Sequence, residues 1–355
     1  MFDFGVHTVL ENPRYLLHSI RPDEDELIFL PSHRNLLRCA PFIDGRTPIL
    51  DGPIVRCSLS DALQSLELVE NREPRFIFHM SFCGSTLLAR ILDRPSKVLV
   101  LREPQCLVDL ANWKAALLRE NRTDARFEPS VRLATALLHR PWQAGETIVV
   151  KPSNWANNLL PDFCEQQPQL RPMFIEIGAR AFLHAVFRGG NDRLAFTARL
   201  VEHLASGCPG DRMLLGSAVK AAKEPLGQLA NLAALAHHLQ VSRFRKIMAR
   251  GSWGPSNLTR FEVLSPPCLE AVKAVAHNLG LGLSASELRS GIQANATRYA
   301  KAAHAPPFSI VEHDAANRLS EQRYGGHIKR ALEWSADCLP CHDDDIADTG
   351  EQMTG

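Results

Sequence analysis

The chain has 355 residues, of which 45% are hydrophobic and 22% charged. It is long enough to bury the core of one large domain or two ordinary ones. The formal net charge of +1 gives no reason to expect nucleic acid or an anionic membrane surface as a partner. No run of residues approaches the ~20 apolar residues of a membrane-spanning helix.

Two further features of the sequence bear on the compartment of the protein. The nine cysteines are odd in number and irregularly spaced, which favours reduced thiols over a disulfide framework. The first residues lack the basic and then apolar pattern of a signal peptide. We therefore expect a cytoplasmic protein.

Residues 1–70 are predicted to form an accessory segment that contains one short strand at Glu26–Leu30, between turn signals. After this segment, apolar strands alternate with helices. The later predicted strands are Phe76–His79, Lys97–Leu101, Glu146–Lys151 and Pro172–Ile177. Such alternation predicts an α/β fold, a three-layer sandwich with a mostly parallel central sheet and extra helices.

The second half of the chain has mainly helical patterns. A helical region is predicted for residues 192–250. The remaining predicted helices are 106–119, 268–280, 284–293 and 318–334. We expect one α/β domain over residues 71–336 and a polar tail over 337–355.

One loop carries the strongest chemical signal. Ser81–Thr86 supplies small turn residues between an apolar strand and a helix that begins near Leu87. Main-chain N–H groups at such a helix start converge on one point, where the helix dipole favours an anion. We predict a phosphate or sulfate there, although a turn without a ligand fits the same pattern. The loop lacks the Gly-Lys-Ser/Thr of a Walker A motif.

Three segments in chain order together resemble the P-loop sulfotransferase family. Phe82-Cys-Gly-Ser-Thr-Leu-Leu-Ala-Arg90 resembles the phosphosulfate loop, and Leu101-Arg-Glu-Pro104 closes the next strand with an acidic residue. The segment from Leu258 to Leu281 resembles the signature near the C-terminal end of the family's domain, which is Tyr-Glu-Asp-Leu, a proline, a helix and Leu-Gly-Leu. Here it contains Phe-Glu-Val-Leu, two prolines and Leu-Gly-Leu. The resemblance covers roughly residues 75–295.

This resemblance implies sulfuryl transfer from 3′-phosphoadenosine 5′-phosphosulfate to a hydroxyl or amine of a small-molecule acceptor, without a metal. The acceptor pocket would be formed by the region 192–250. The residues assigned to the phosphosulfate are Ser81, Phe82, Cys83, Gly84, Ser85 and Thr86. Arg180 is assigned to the 3′-phosphate.

Two departures from the family pattern stand in the donor site. Phe82 replaces the basic residue that normally opens the loop, and losing such a charged donor would forfeit about 1.5–3 kcal/mol. Ile177 and Ala185 stand where the 3′-phosphate arginine and serine are expected.

Glu103 and Lys151 are the predicted catalytic residues. The strand before Glu103 is expected to neighbour the loop's strand, which would bring the carboxylate near an acceptor above Ser85. Lys151, at the end of another strand, could supply the charge that Phe82 lacks. The alternatives are a glutamate that pairs with Arg102 or caps a helix, and a solvated lysine.

Other chemical features of the chain have plainer interpretations. His79 is expected to be a packed core residue. Arg180, His184 and Arg188 form one basic helix face, more easily explained by solvation than by a ligand. The segment Cys338–His342 matches a haem attachment pattern by chance.

Two rival functions remain open. The missing charge at Phe82 favours a non-catalytic nucleotide-binding or interaction protein that kept the fold. A phosphotransferase is less well supported, because no P-loop lysine or magnesium carboxylate is visible.

Overall fold

The computed structural model describes residues 6–69, 72–251, 253–264, 266–295 and 310–340. Its strands are β1 Tyr15–Arg21, β2 Glu26–Pro31, β3 Val55–Ser58, β4 Arg75–His79, β5 Val98–Arg102, β6 Thr147–Lys151, β7 Arg171–Glu176 and β8 Leu258–Arg260. Its helices are α1 Val6–Glu11, α2 Arg34–Cys39, α3 Leu59–Gln64, α4 Ser85–Leu92, α5 Gln105–Glu120, α6 Phe127–Leu138, α7 Leu160–Gln166, α8 Ala179–Arg188, α9 Gly190–Ala205, α10 Pro209–Lys220, α11 Pro225–Arg250, α12 Phe261–Leu264, α13 Leu269–Asn278, α14 Ala285–Asn295 and α15 Ile310–Cys338. Short 3₁₀ turns lie at Pro22–Glu24, Leu66–Leu68, Asn154–Leu159 and Pro255–Asn257.

The chain divides into two compact units. The first contains Met1–Ile177 and Ile247–Ser309, and the second contains Gly178–Lys246 and Ile310–Gly355. All eight strands of the described residues belong to the first unit.

The first unit is built on a five-stranded sheet in the order β5-β6-β4-β7-β8, and every neighbouring pair is parallel. All residues of β5 are buried, as are nearly all of β4, β6 and β7. Parallel strands with both faces covered need such continuous apolar runs. Helices flank the sheet, so the predicted α/β class is confirmed.

The strand order differs from our expectation in one respect that matters for the site. β6 lies between β4 and β5, so the strand that ends before Glu103 does not neighbour the loop's strand. The connection from β4 through α4 to β5 skips one strand position in the sheet, and β6, which comes later in the chain, occupies that position. Periodicity identifies strands but carries no information on their order.

Aromatic rings fill the core beside the central strands. Phe76 contacts Phe163 with a ring-centroid distance of 4.7 Å, and Phe78 contacts Phe174 at 5.7 Å. These four side chains are completely buried. They hold β4 between its neighbours and therefore fix where the loop after β4 begins.

The N-terminal segment forms a separate antiparallel sheet in the order β1-β2-β3. Only β2 was expected from the sequence. Asp109 on α5 accepts hydrogen bonds from the Ser19 hydroxyl at 2.7 Å and the Ile20 N–H at 3.0 Å. These bonds join the small sheet to a helix of the α/β body, so the segment packs within the first unit.

The second unit is helical, with α8, α9, α10, most of α11 and α15. The predicted helix 318–334 is part of the longer α15. The predicted helical region 192–250 is confirmed as local structure. None of the helices in the described ranges is both long and apolar enough to cross a bilayer.

Candidate active site

The carboxyl ends of the central strands meet at one edge of the sheet. β4 ends at His79, β6 at Lys151 and β7 at Glu176, while Glu103 follows β5 directly. Ligands of open α/β sheets bind at this edge. The predicted loop and both predicted catalytic residues therefore lie on the same side of the sheet.

The loop after β4 adopts unusual backbone angles. Phe82 has φ of 66° and Gly84 has φ of 73°. The left-handed conformation is costly for a bulky residue such as phenylalanine, and such strain concentrates at functional sites. Gly84 directly precedes α4, whose first N–H groups have no intrahelical acceptor. Main-chain donors are therefore expected at this helix start.

The side chains of this loop play a smaller part than expected. The Cys83 thiol is buried and donates to the Met80 carbonyl at 2.8 Å. Ser85 and Thr86 are only 5% and 4% exposed. The partly exposed positions of the loop are Ser81, Phe82 and Gly84, so the Ser85 and Thr86 hydroxyls are not on its accessible side. The predicted ligand contacts of the loop residues stay predictions.

Glu103 and Lys151 form an ion pair. Lys151 Nζ lies 2.8 Å from Glu103 Oε1. The lysine side chain is 0% exposed and that of the glutamate 14%. The Glu103 N–H also donates to the Lys151 carbonyl. The φ of 57° at Glu103 turns the chain as it leaves β5.

This pair rules out the simpler interpretations of both residues. Lys151 is not a solvated lysine. Arg102 points to the carbonyls of Leu37 and Arg38 instead of Glu103, at 3.0 and 2.6 Å. Helix α5 begins at Gln105 without a side-chain cap. Because β6 adjoins β4, Lys151 is the nearer of the two predicted catalytic residues to the loop's strand, whereas Glu103 lies about two strand spacings, roughly 10 Å, away.

An arginine of the N-terminal segment also reaches this pair. Arg46 Nη2 lies 3.5 Å from Glu103 Oε2, and its Nε donates to Asp44 Oδ2 at 2.7 Å. The guanidinium lies over the Phe42 ring, 4.3 Å from its centroid. The cluster therefore contains two cations and two carboxylates.

His79 links the strands beneath the loop. Its ring nitrogens lie 2.7 Å from the Met80 carbonyl and 2.9 Å from the Pro152 carbonyl. Burial, and secondly the Lys151 charge, lower the pKa of His79 to about 3, so the ring is neutral and donates to one of these oxygens. Its expected place in the core is confirmed.

Two asparagines after β6 add contacts to the loop region. Asn154 Nδ2 donates to Ser81 Oγ at 2.9 Å, and Asn157 Nδ2 donates to the His79 carbonyl at 3.1 Å. The turn after β6, which follows Lys151, is thereby hydrogen-bonded to the loop Ser81–Thr86, the predicted anion loop, and to the end of β4.

The late segment of the family resemblance packs against the same loop. A Cβ added at Gly84 would lie 3.4 Å from the Phe261 ring and 3.8 Å from Leu264. α12 therefore lies within van der Waals reach of the loop, and the left-handed φ rather than a lack of space favours glycine at this position. Arg260 Nε, at the end of β8, lies 3.2 Å from Glu176 Oε1 and is a further cation at this edge.

Of the residues predicted near the 3′-phosphate, Ile177 directly follows β7 in the first unit, whereas Arg180 and Ala185 belong to the second unit. Ile177 and Ala185 are buried. Arg180 belongs to the second unit, where its Nη1 lies 3.4 Å from Glu321 Oε2. Its assignment to the nucleotide stays a prediction. Cys341 and His342 of the haem-like pattern lie outside the described residues.

Comparisons with known proteins find similarity at the level of structure. No family model matches the chain, and no curated protein matches its sequence. A solved sulfotransferase from Alicyclobacillus acidocaldarius is similar to the chain with 14% sequence identity and a TM-score of 0.34, over 73% of this chain and 97% of that one. Similarity at that level does not by itself establish a shared activity.

Sequence reasoning missed two charged residues of this edge. Arg46 lies in an irregular loop, and Arg260 lies in a strand too short to show periodicity. Neither had a local signal, because only the folding of distant segments brings them to Glu103 and Glu176.

Proposed function

We propose that the protein transfers a sulfuryl group from 3′-phosphoadenosine 5′-phosphosulfate to a hydroxyl or amine of a small-molecule acceptor. The observation that carries this proposal is the strained loop Ser81–Gly84 at a helix start, on the same sheet edge as the Lys151–Glu103 pair. The donor groups of this edge suit a tetrahedral oxyanion beside a carboxylate. The resemblance of three sequence segments to P-loop sulfotransferases supports the same reaction.

The loop contributes mainly through its backbone. The N–H groups at the start of α4 would hold the oxygens of the sulfuryl and adjoining phosphate groups, and the helix dipole favours their charge. Such preorganised donors act where charge develops in the transition state. Because Phe82 is not a basic residue, the main-chain N–H groups would have to stabilise this negative charge.

Glu103 and Lys151 would act together during transfer. Glu103 takes the proton of the acceptor as the acceptor oxygen or nitrogen bonds to sulfur. The bond from sulfur to the bridging phosphate oxygen breaks, and that oxygen leaves with the negative charge. Once Glu103 is protonated, the Lys151 ammonium loses its anionic partner, and its charge becomes available to the leaving oxygen.

One observation favours a second function, a nucleotide-binding protein without transfer activity. Lys151 is already paired with Glu103, and Arg46 with Asp44. The described edge thus has little uncompensated positive charge for a highly charged donor. A protein that only binds a ligand at this edge would not need extra positive charge to stabilise a leaving oxygen.

Ligand binding and turnover separate the two functions. Thermal unfolding is measured with 3′,5′-adenosine bisphosphate, with the phosphosulfate donor, and with ATP and magnesium. A ligand at a hundred times its dissociation constant stabilises by about 2.7 kcal/mol. Stabilisation by the bisphosphate and donor, with bisphosphate release in the presence of hydroxyl and amine acceptors, is expected for the transferase.

Other outcomes of the same measurements would favour one of the alternative functions or contradict the proposal. Stabilisation by the bisphosphate without its release from the donor would favour the binding protein. Stabilisation by ATP and magnesium alone would favour a phosphotransferase. No stabilisation by any nucleotide would contradict the proposal.

A further inference from the structure

A long loop of the N-terminal segment reaches the candidate site. The connection from Ala40 to Ile54 contains no helix or strand. Irregular connections of about 12–15 residues are uncommon in compact domains and usually functional. The Ile43 N–H donates to the Arg102 carbonyl at 2.8 Å, and the Asp51 N–H to the Pro31 carbonyl at 2.7 Å. The loop is thus bonded directly to the residue before Glu103.

Arg46 is held in place within this loop. Asp44 binds its Nε and Nη2, and the Phe42 ring packs against the guanidinium. The Asp44 hydrogen bond raises the pKa of Arg46, so the guanidinium stays charged. A side chain fixed at two points loses little freedom when it meets Glu103.

The charges around Glu103 are arranged asymmetrically. Oε1 pairs at 2.8 Å with Lys151, which is completely buried, while Oε2 has Arg46 at 3.5 Å, with its side chain 62% exposed. Asp44 lies behind Arg46, and His79 is buried and neutral. Oε2 is therefore the oxygen on the exposed side, where an acceptor proton would arrive.

We propose that Arg46 is a positioning residue for Glu103. It orients Oε2 towards the acceptor and keeps the carboxylate ionised, and therefore able to take a proton, at lower pH. This inference rests on the proposed function, because it concerns the proton acceptor of that reaction. It extends the site to the N-terminal loop, which the family resemblance, starting near residue 75, does not include.

The test follows the ionisation of Glu103 directly. The protein is labelled with ¹³C at the glutamate side-chain carboxyl carbon, and the Glu103 signal is identified by its loss in Glu103→Gln. Titration is then compared in wild type, Arg46→Gln and Arg46→Lys. Arg56→Gln is the matched control, because Arg56 forms a comparable exposed ion pair with Glu26 on the N-terminal sheet, at 2.5 Å.

The expected result is a higher titration midpoint for Glu103 in Arg46→Gln, by about half a pH unit or more, because a nearby cation favours the carboxylate. Arg46→Lys keeps the charge and should restore most of the wild-type midpoint, and Arg56→Gln should not change it. The acid limb of kcat/KM should move with the midpoint, while bisphosphate affinity stays within about twofold.

The experiment distinguishes a failure of the proposed role of Arg46 from a failure of the proposed function. Turnover by wild type with an unchanged midpoint and acid limb in Arg46→Gln would overturn only the role of Arg46. A wild-type protein that neither binds the bisphosphate nor turns over the donor would overturn the proposed function, and the catalytic role of Arg46 with it, whatever the midpoint does.

Discussion

At the scale of single residues, the site depends on one buried ion pair. Lys151 is completely buried, and its ammonium lies 2.8 Å from Glu103 Oε1. Removing one member of such a pair leaves a buried charge without its partner, whereas removing both is often tolerated. This difference separates the role of the pair in stability from its role in chemistry.

Lys151→Met should lower the free energy of unfolding by about 3 kcal/mol, because Glu103 then loses its closest cation. Lys151→Met combined with Glu103→Leu should regain most of that stability but no turnover. Urea unfolding and donor turnover of both variants check this. A Lys151→Met protein with intact donor binding and turnover would contradict the proposed role of the lysine.

Two buried histidines predict how stability depends on pH. Burial lowers the pKa of His79 to about 3 and of His139 to about 4, from an ordinary value of 6.5. Below about pH 6.5 these histidines bind protons in the unfolded chain but stay neutral in the folded protein. The free energy of unfolding should therefore fall as the pH falls from 6.5 towards 4, by at most about 1.4 kcal/mol per pH unit for each histidine. His79→Gln should show a flatter decline in urea unfolding across this range. An unchanged slope would show that His79 ionises normally in the folded protein.

At the scale of elements, the anion loop is shaped by its turn and by its neighbour α12. Gly84 has a left-handed φ, and its Cα faces the Phe261 ring. An added Cβ would meet that ring only at an ordinary van der Waals distance of 3.4 Å, so the left-handed φ is what disfavours a side chain here. Substitution at this position should therefore disturb the candidate binding loop, whereas substitution at a glycine of similar φ elsewhere should not.

Gly84→Ala and Gly145→Ala form a matched pair, because Gly145 has φ of 78° and nothing within 4 Å of an added Cβ. Each should cost about 1 kcal/mol of stability from the left-handed backbone. Only Gly84→Ala should weaken bisphosphate binding, by about tenfold, because relief of the left-handed strain at this position would move the amides of the proposed binding loop. Calorimetric titration of both variants measures this, and equal affinities would remove the loop from the proposed binding site.

At the scale of the whole molecule, the candidate site draws on segments far apart in the chain. The loop after β4, the ends of β5 and β6, α12 and the N-terminal loop all belong to the first unit. The region 192–250, which the family resemblance assigns to the acceptor, falls mainly in the second unit. The assignment of the acceptor to that region stays a prediction.

Hydrogen exchange with and without 3′,5′-adenosine bisphosphate should show protection in residues 79–88 and 151–157, because a bound anion engages these amides and slows local opening. Protection of 179–188 is expected in addition if Arg180 holds the nucleotide. An acceptor that turns over should protect part of 192–250. Protection by the bisphosphate confined to the second unit would contradict the proposed site.

The sequence alone determined the α/β class, most strand positions and the turn between β4 and α4, because these features depend on local periodicity and turn residues. Phe76–His79 and Lys97–Leu101 were placed within one residue of β4 and β5. It also singled out Glu103 and Lys151, although not their pairing. Only the tertiary structure decided that β6 lies between β4 and β5, which brings Lys151 rather than Glu103 next to the loop's strand. It likewise brought Arg46 to Glu103. Strand order and contacts between distant segments follow from how helices and side chains fill the space around the sheet, and no local pattern encodes that packing.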